Sequence, residues 1–314
     1  MAAQQQPQCT LSDLLCAMRK YTKSDLENFQ PRHDSFVGID SDGCVFPTME
    51  IKQKQCFHKL IIKHWGLEKI EKYVRETAEF VNLYSRNRGQ NRFPCLLLVM
   101  ELLQERPEVA ASGVALPDCS SLKKFITSGV PLSNDELAKA ASVDPGLQPL
   151  LDWSYAVNAD IAQTVKNVPP FPWVRESLEK IKKHSDAICV SQTPTEALVR
   201  EWEENDLMEY VSIIAGQELG SKTEHLQMAA GGGRYPEGKV LMIGDALGDL
   251  RAARATHSCF YPINPGGEAA SWQRFYNEAY DKFLTGDYLG AYADGLIAEF
   301  ERLLPDTPPW KRKS

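Results

Sequence analysis

Two runs in the chain place carboxylates at the ends of apolar stretches, Phe36-Val37-Gly38-Ile39-Asp40-Ser41-Asp42-Gly43 and Val240-Leu241-Met242-Ile243-Gly244-Asp245-Ala246-Leu247-Gly248-Asp249. A short apolar run that ends in acid and glycine reads as a buried strand followed by a turn. In open α/β sheets the C-terminal ends of parallel strands are where ligands bind. If the two strands are neighbours, Asp40, Asp42, Asp245 and Asp249 gather at one edge, and their repulsion calls for a hard divalent cation. Magnesium suits such a set, because it takes few protein carboxylates and keeps water and phosphate oxygens as its other ligands. Taken alone, the first run is also explained as a polar turn, and Asp249 as an acid favoured by a helix dipole. An EF-hand loop is excluded, because its fifth and sixth positions need an oxygen ligand and a glycine, where this chain has Cys44 and Val45.

Two further elements could serve a phosphoryl group. The run Ile188-Cys189-Val190-Ser191-Gln192-Thr193-Pro194 is a strand ending in a hydroxyl, with Thr193 or Thr195 placed to cap the next helix. Ser191 there can donate to a phosphoryl oxygen beside the amides of the helix start. Lys222, in Gly220-Ser221-Lys222-Thr223 at a helix entry, can neutralise phosphoryl charge. Individually, a serine at a strand end is an ordinary turn residue and a lysine an ordinary solvated cation.

Positioning these groups falls to strands expected at 36–40, 187–191, 210–215, 239–245 and 257–263, alternating with helical patterns at 195–205, 222–230 and 247–256. That rhythm predicts a doubly wound parallel sheet in an α/β core. Residues 49–168 behave differently, with long amphipathic helical patterns at 52–84, 94–104 and 147–165 and little strand character. They read as an inserted all-helical domain between Phe46-Pro47-Thr48 and Val168-Pro169-Pro170-Phe171-Pro172. The expected organisation is a discontinuous core of 1–48 and 169–267, a helical cap of 49–168 and a helical extension of 268–314. Helical patterns at 11–29, 269–284 and 288–304 read as additions to the core that could also join copies into a homo-oligomer.

At 314 residues with 43% hydrophobic and 25% charged side chains, the chain has a globular composition and can bury a sizeable core. A formal charge of −7 offers no global attraction for nucleic acid, so no nucleic-acid partner is expected. The Lys311-Arg312-Lys313 run reads as a solvated tail. Eight cysteines without a CxxC pair fit neither a zinc site nor a disulfide scaffold, and no apolar span or leader pattern is evident. A soluble cytoplasmic protein with no membrane partner is the expectation.

The order of these elements, acid pair, hydroxyl, lysine, acid pair, with a helical insert after the first, resembles the haloacid dehalogenase-like (HAD) hydrolase superfamily. Asp40-Ser41-Asp42 matches its first motif, Ser191 its second, Lys222 its third, and Gly244-Asp245 with Asp249 its fourth. The likeness covers the core, and Cys44-Val45 departs from the residues common after the first motif. The resemblance implies a HAD-like Rossmannoid core and a magnesium-dependent phosphatase acting on a small phosphorylated substrate. It implies Asp40 as nucleophile and Asp42 as acid and base. Gly43, Ser191, Gln192 and Lys222 are the expected phosphate-binding residues. Asp40, Asp42 through its carbonyl, Asp245 and Asp249 are the expected metal-binding residues, Asp249 acting through water or by orienting Lys222. In the cap, the Tyr84–Phe93 segment is dense in cations and amides, and Arg88 or Arg92 is expected on the distal part of the substrate. A sugar-phosphate mutase of the same superfamily is the alternative, followed by a non-catalytic scaffold. The second acid of the first motif disfavours a dehalogenase or a phosphonate hydrolase.

Overall fold

The computed structural model describes residues 21–311. The early part of the helix expected at 11–29 lies outside them, as do Arg312 and Lys313; helix Lys23–Glu27 is the part seen. Five parallel strands, β1 Phe36–Ile39, β2 Asp186–Val190, β3 Ile214–Ala215, β4 Val240–Gly244 and β5 Cys259–Pro262, form one sheet in the order β3-β2-β1-β4-β5. Phe36 lies opposite Asp186 on one side and Val240 on the other, so β1 is central and its end stands level with those of β2 and β4. The chain leaves β1 toward β2 and β3, then crosses back to β4. A crevice at the β1/β4 switch point follows from this order.

Alternating side chains explain the two packed faces. Val37, Ile39, Cys189, Leu241, Ile243 and Tyr261 face one cluster, with Leu178, Trp202, Trp272 and Tyr280 from the covering helices. Phe36, Ile188, Val190, Met242 and Phe260 face the other, with Leu226, Leu250 and Phe300. The C-terminal helices are thereby part of the core's cover, as Phe275, Tyr280, Phe283 and Phe300 have no exposed surface. Each fully buried Phe or Leu of this kind contributes about 1.5–3 kcal/mol through burial.

A third cluster is drawn from residues 57–157, with Trp310 packed against it. The single helical pattern expected at 52–84 is broken into Thr48–Ile51, a π-helical turn Lys52–Phe57, His58–Trp65 and Glu71–Leu83. Gly66, in the left-handed region at φ 62°, ends the third piece. Helices Pro107–Ser112, Ser120–Ile126 and Asn134–Ala141 were not foreseen, being too short to show a clear period. The strand expected at 210–215 keeps only Ile214–Ala215, because Met208–Tyr210 turn as a 3₁₀ helix. From the far end of the chain, Trp310 packs edge-on to Phe80 at 5.6 Å and lies 4.5 Å from the Arg106 guanidinium. Lys311 pairs with Glu105, and Asp306 with Arg86 at 2.9 Å. Among the described residues no helix is long and apolar enough to cross a membrane.

Candidate active site

The turn after β1 is held from below by its own backbone and from the side by two indoles. The amides of Cys44, Val45 and Phe46 all donate to Ser41 O, at 3.2, 2.8 and 3.1 Å. Gly43, at φ 78°, takes the left-handed conformation this tight turn needs, and its amide donates to Phe46 O at 2.8 Å. Trp202 Nε1 donates to Ser41 Oγ at 3.1 Å, and Trp272 Nε1 to Cys44 O at 2.8 Å. Gly43 was expected among the phosphate-binding residues, but its N–H is used inside the turn and it does not line the cavity described below.

Asp40 extends the strand pairing, its amide donating to Ile243 O at 2.9 Å. Its carboxylate is 2.9 Å from Lys222 Nζ, which also donates to Asp249 Oδ1 at 2.5 Å. Two local features bring these groups together. A Cβ at Gly38 would stand 2.7 Å from Leu226, so glycine lets helix Lys222–Ala230 close onto the sheet. A reciprocal capping box between Ser221 and Glu224 starts that helix with Lys222 at its first position. Asp249 reaches back to the Ala246 amide at 3.0 Å, through space that a Cβ at Gly244 would fill. Lys239, just before β4, donates to Leu284 O, away from the cluster.

Asp40, Asp245 and Asp249 each offer an oxygen, and the three oxygens lie within 4.8 Å of one another. Burial, reinforced by the charges of Asp249 and Asp245, pushes the Asp40 carboxyl well above the usual carboxylate range. Asp249 is raised as well, first by burial and then by Asp245, against the pull of Lys222. Asp245 has no exposed surface; its Oδ2 accepts from Arg88, while its Oδ1 has no hydrogen-bond partner. When all three carboxyls are ionised they face two cations, Lys222 and Arg88, which leaves one negative charge uncompensated. An all-oxygen donor set with an orphaned buried carboxylate oxygen fits a hard divalent cation.

Asp42 is set differently. Its Oδ1 accepts from Thr48 and from Lys52 Nζ at 2.6 Å, and its Oδ2 from Lys52 at 2.7 Å and Thr193 at 2.6 Å. Burial pushes this carboxyl up, but the Lys52 ammonium and these donors outweigh burial and hold it below the usual range. Lys52 also lies 3.4 Å from Glu201. Burial, then the charge of Asp42, push Glu201 up to about 7. A carboxyl raised on folding loses stability as pH climbs from the ordinary glutamate range through its folded value. Glu201→Gln is therefore expected to melt higher than the native chain at pH 8, with the gain shrinking toward pH 5. A gain independent of pH in melting curves across that range would contradict the assignment.

A cavity of about 880 Å³ opens from these groups into the helical insert. Asp40, Asp42, Lys52, Ser191, Gln192 and Lys222 line one part of it. Ser191 is buried, its Oγ accepting from the Thr193 amide at 3.2 Å, and the Gln192 side chain donates to Gly220 O at 3.0 Å. Arg92 lines the cavity too, but its Nη1 is already spent on Ser154 and Asn158, and its guanidinium lies 5.1 Å from the Phe57 ring. Arg88 does not line the cavity. It is 2% exposed and bonded to Asp245 and to Leu83 O, so its expected place on the substrate is corrected.

Sequence reasoning missed Thr48, Lys52 and Glu201, and read Thr193 only as a cap residue. Lys52 is twelve residues after Asp40 with no motif spacing to mark it. A cation on the apolar side of a helical pattern is the one signal it carried.

The elements carrying Asp40, Ser191, Lys222, Asp245 and Asp249 converge on one edge of the parallel sheet of this α/β core. No protein-family model matches the chain, and no curated protein does. Among solved structures, a HAD-like family hydrolase from Streptococcus pneumoniae aligns at 15% identity over 76% of this chain and 90% of its own, with a TM-score of 0.41. A HAD-superfamily hydrolase of subfamily IA from Geobacter sulfurreducens aligns at 15% identity over 74% and 89%, with a TM-score of 0.39. A candidate phosphoglycolate phosphatase from Lactobacillus delbrueckii subsp. bulgaricus aligns at 14% identity over 81% and 98%, with a TM-score of 0.44.

Proposed function

We propose that the chain is a magnesium-dependent phosphoric monoester hydrolase acting on a small phosphorylated metabolite through an aspartyl-phosphate on Asp40. The observation that carries this reading is the convergence of Asp40, Lys222, Asp245 and Asp249 in one buried cluster whose net charge is negative and whose Asp245 Oδ1 is unpartnered. Asp40 and Asp245 would hold the cation, with Asp249 orienting Lys222. When bound, the cation supplies charge neutralisation for the nucleophile and the phosphoryl oxygens.

Asp40 attacks phosphorus as a carboxylate, and the P–O bond to the leaving group breaks as the Asp40–phosphorus bond forms. Lys222 and Ser191 neutralise and bind the equatorial oxygens, so positioning and electrostatics supply most of the rate. Asp42 is poised as a proton acceptor, which suits activation of the water that cleaves the aspartyl-phosphate. For the first half-reaction the Lys52–Asp42 pair must deliver the proton to the departing oxygen, because Asp42 alone is held as its carboxylate. The helical insert, as a cap over residues 49–168, supplies the distal wall of the cavity. That wall offers the carboxamide of Gln53, whose Oε1 is unpartnered, while Arg92 Nη1 and Asn158 Oδ1 are bonded to each other. A polar, uncharged leaving group suits it better than a second anion.

Phosphate release from a broad panel of monoesters is the test. Activity is expected with magnesium and lost with chelator, and uncharged polyol phosphates are expected to be turned over faster than carboxylated esters of similar size. Asp42→Asn, given an activated ester, is expected to accumulate phosphate on Asp40. A variant that neither turns over nor becomes phosphorylated under conditions where the native protein is active would remove Asp42 from this role.

A further inference from the structure

We propose that Arg88 of the helical insert is a built-in counter-ion for Asp245, so that seating of the insert on the core and divalent-cation binding at that carboxylate oppose each other. The inference rests on the reading of Asp40, Asp245 and Asp249 as a cation site.

The Arg88 side chain is 1% exposed and that of Asp245 has no exposure. Both Nε, at 2.7 Å, and Nη2, at 2.5 Å, are spent on one oxygen, Oδ2. Nη1 donates to Leu83 O at 2.9 Å, which ties the guanidinium to the end of helix Glu71–Leu83 in the insert. The segment carrying Arg88 is seated on the core: a Cβ at Gly89 would lie 2.9 Å from the Ala246 Cβ, next to Asp245 in the chain. A Cβ at Gly43 would lie 2.6 Å from Arg88 Nη2, so the guanidinium also abuts the turn after Asp40. This cation therefore comes from one structural element and neutralises a carboxylate of another.

A guanidinium keeps its charge under all ordinary conditions, so it cannot relieve a clash by giving up a proton. A dication on Oδ1 would sit across a single carboxylate from this fixed positive charge, in surroundings too dry to screen the repulsion. Each cation weakens the other's hold on Asp245, and linkage makes the effect reciprocal. Without a divalent ion, Arg88 keeps the cluster near charge balance and draws the insert down. With one bound, the surplus positive charge is suited to a phosphate dianion, whose arrival restores the balance and lets the insert seat again.

Isothermal titration of Mn²⁺ and Mg²⁺ into the native protein, Arg88→Gln and Arg88→Lys tests this directly. Arg88→Gln keeps a hydrogen-bond donor but loses the charge, and it is expected to bind either ion about tenfold more tightly. Arg88→Lys keeps the charge and is expected to stay within about twofold of the native value. Equal or weaker binding by Arg88→Gln overturns the proposal while leaving the cation site intact. Absence of binding in all three proteins overturns both. Hydrogen exchange on the native protein gives a measurement that does not depend on the variants folding. Amides of residues 84–91 are expected to exchange faster in saturating Mn²⁺ than in chelator, and equal or slower exchange overturns the proposal.

Discussion

Asp40→Asn is expected to lower phosphate release by at least about a thousandfold and to abolish labelling by phosphate, because an amide cannot serve as the attacking oxyanion. Its effect on stability should run the other way. Asp40 is buried beside two other carboxylates, and its carboxyl is pushed well above the usual range by burial and by those neighbours. Ionising such a group costs stability as pH rises past the ordinary carboxylate range. In the absence of a divalent cation, Asp40→Asn is therefore expected to melt at or above the native temperature at pH 8, with the difference closing as pH falls toward 4. Inactivity combined with a higher melting temperature separates loss of the nucleophile from loss of the fold. Substantial residual turnover in a clean preparation would show that Asp40 is not the nucleophile.

Lys222→Met is expected to damage both function and fold. The ammonium spans Asp40 at 2.9 Å and Asp249 at 2.5 Å, with its side chain only 14% exposed. Burial alone would lower its pKa, but Asp249 and Asp40 outweigh burial and raise it above the ordinary lysine range. A lysine raised on folding contributes stability at every pH below that range, so the loss in the variant should be present across neutral pH. Removing one partner of a buried pair leaves uncompensated carboxylates and costs about 3–5 kcal/mol. Turnover should fall by about a hundredfold or more as the phosphoryl oxygens lose their main protein cation. A divalent ion should recover part of the stability but not the rate. Denaturant melts with and without magnesium, beside initial rates, check this. A variant as stable as the native protein without any cation would mean that the Asp40–Lys222–Asp249 bridge is not a structural element.

The parts of the site that were legible in sequence are those fixed by strand ends. Asp40 and Asp245 could be placed because each ends an apolar run in a parallel strand, and pairing of β1 with β4 then brings them to one edge. Lys222 was placed at a helix entry in Gly220-Ser221-Lys222-Thr223, and the structure starts that helix with a Ser221–Glu224 capping box. Arg88 was not, because a loop with three arginines and several amides carries no sign of which cation is buried. Only the folding of the insert onto Ala246 decides that Arg88 points at Asp245 while Arg92 turns to Ser154 and Asn158. Gly43 was expected to bind phosphate, whereas its N–H donates to Phe46 O inside the turn. Lys52 reaches Asp42 from the start of a π-helical turn and Thr48 from the short helix before it, contacts that no residue pattern announces.

The docking of Trp310 onto Phe80 and Arg106 joins segments more than two hundred residues apart in the chain. Such a contact requires closing a very long loop, an entropy cost that grows only slowly with length but gives nothing back until both partners exist. The surface it lands on is complete once the helical insert has packed, and its approach runs through the C-terminal helices that cover the sheet. The contact therefore tethers the C-terminal segment to the helical insert, holding the insert at a point outside its two chain connections to the core.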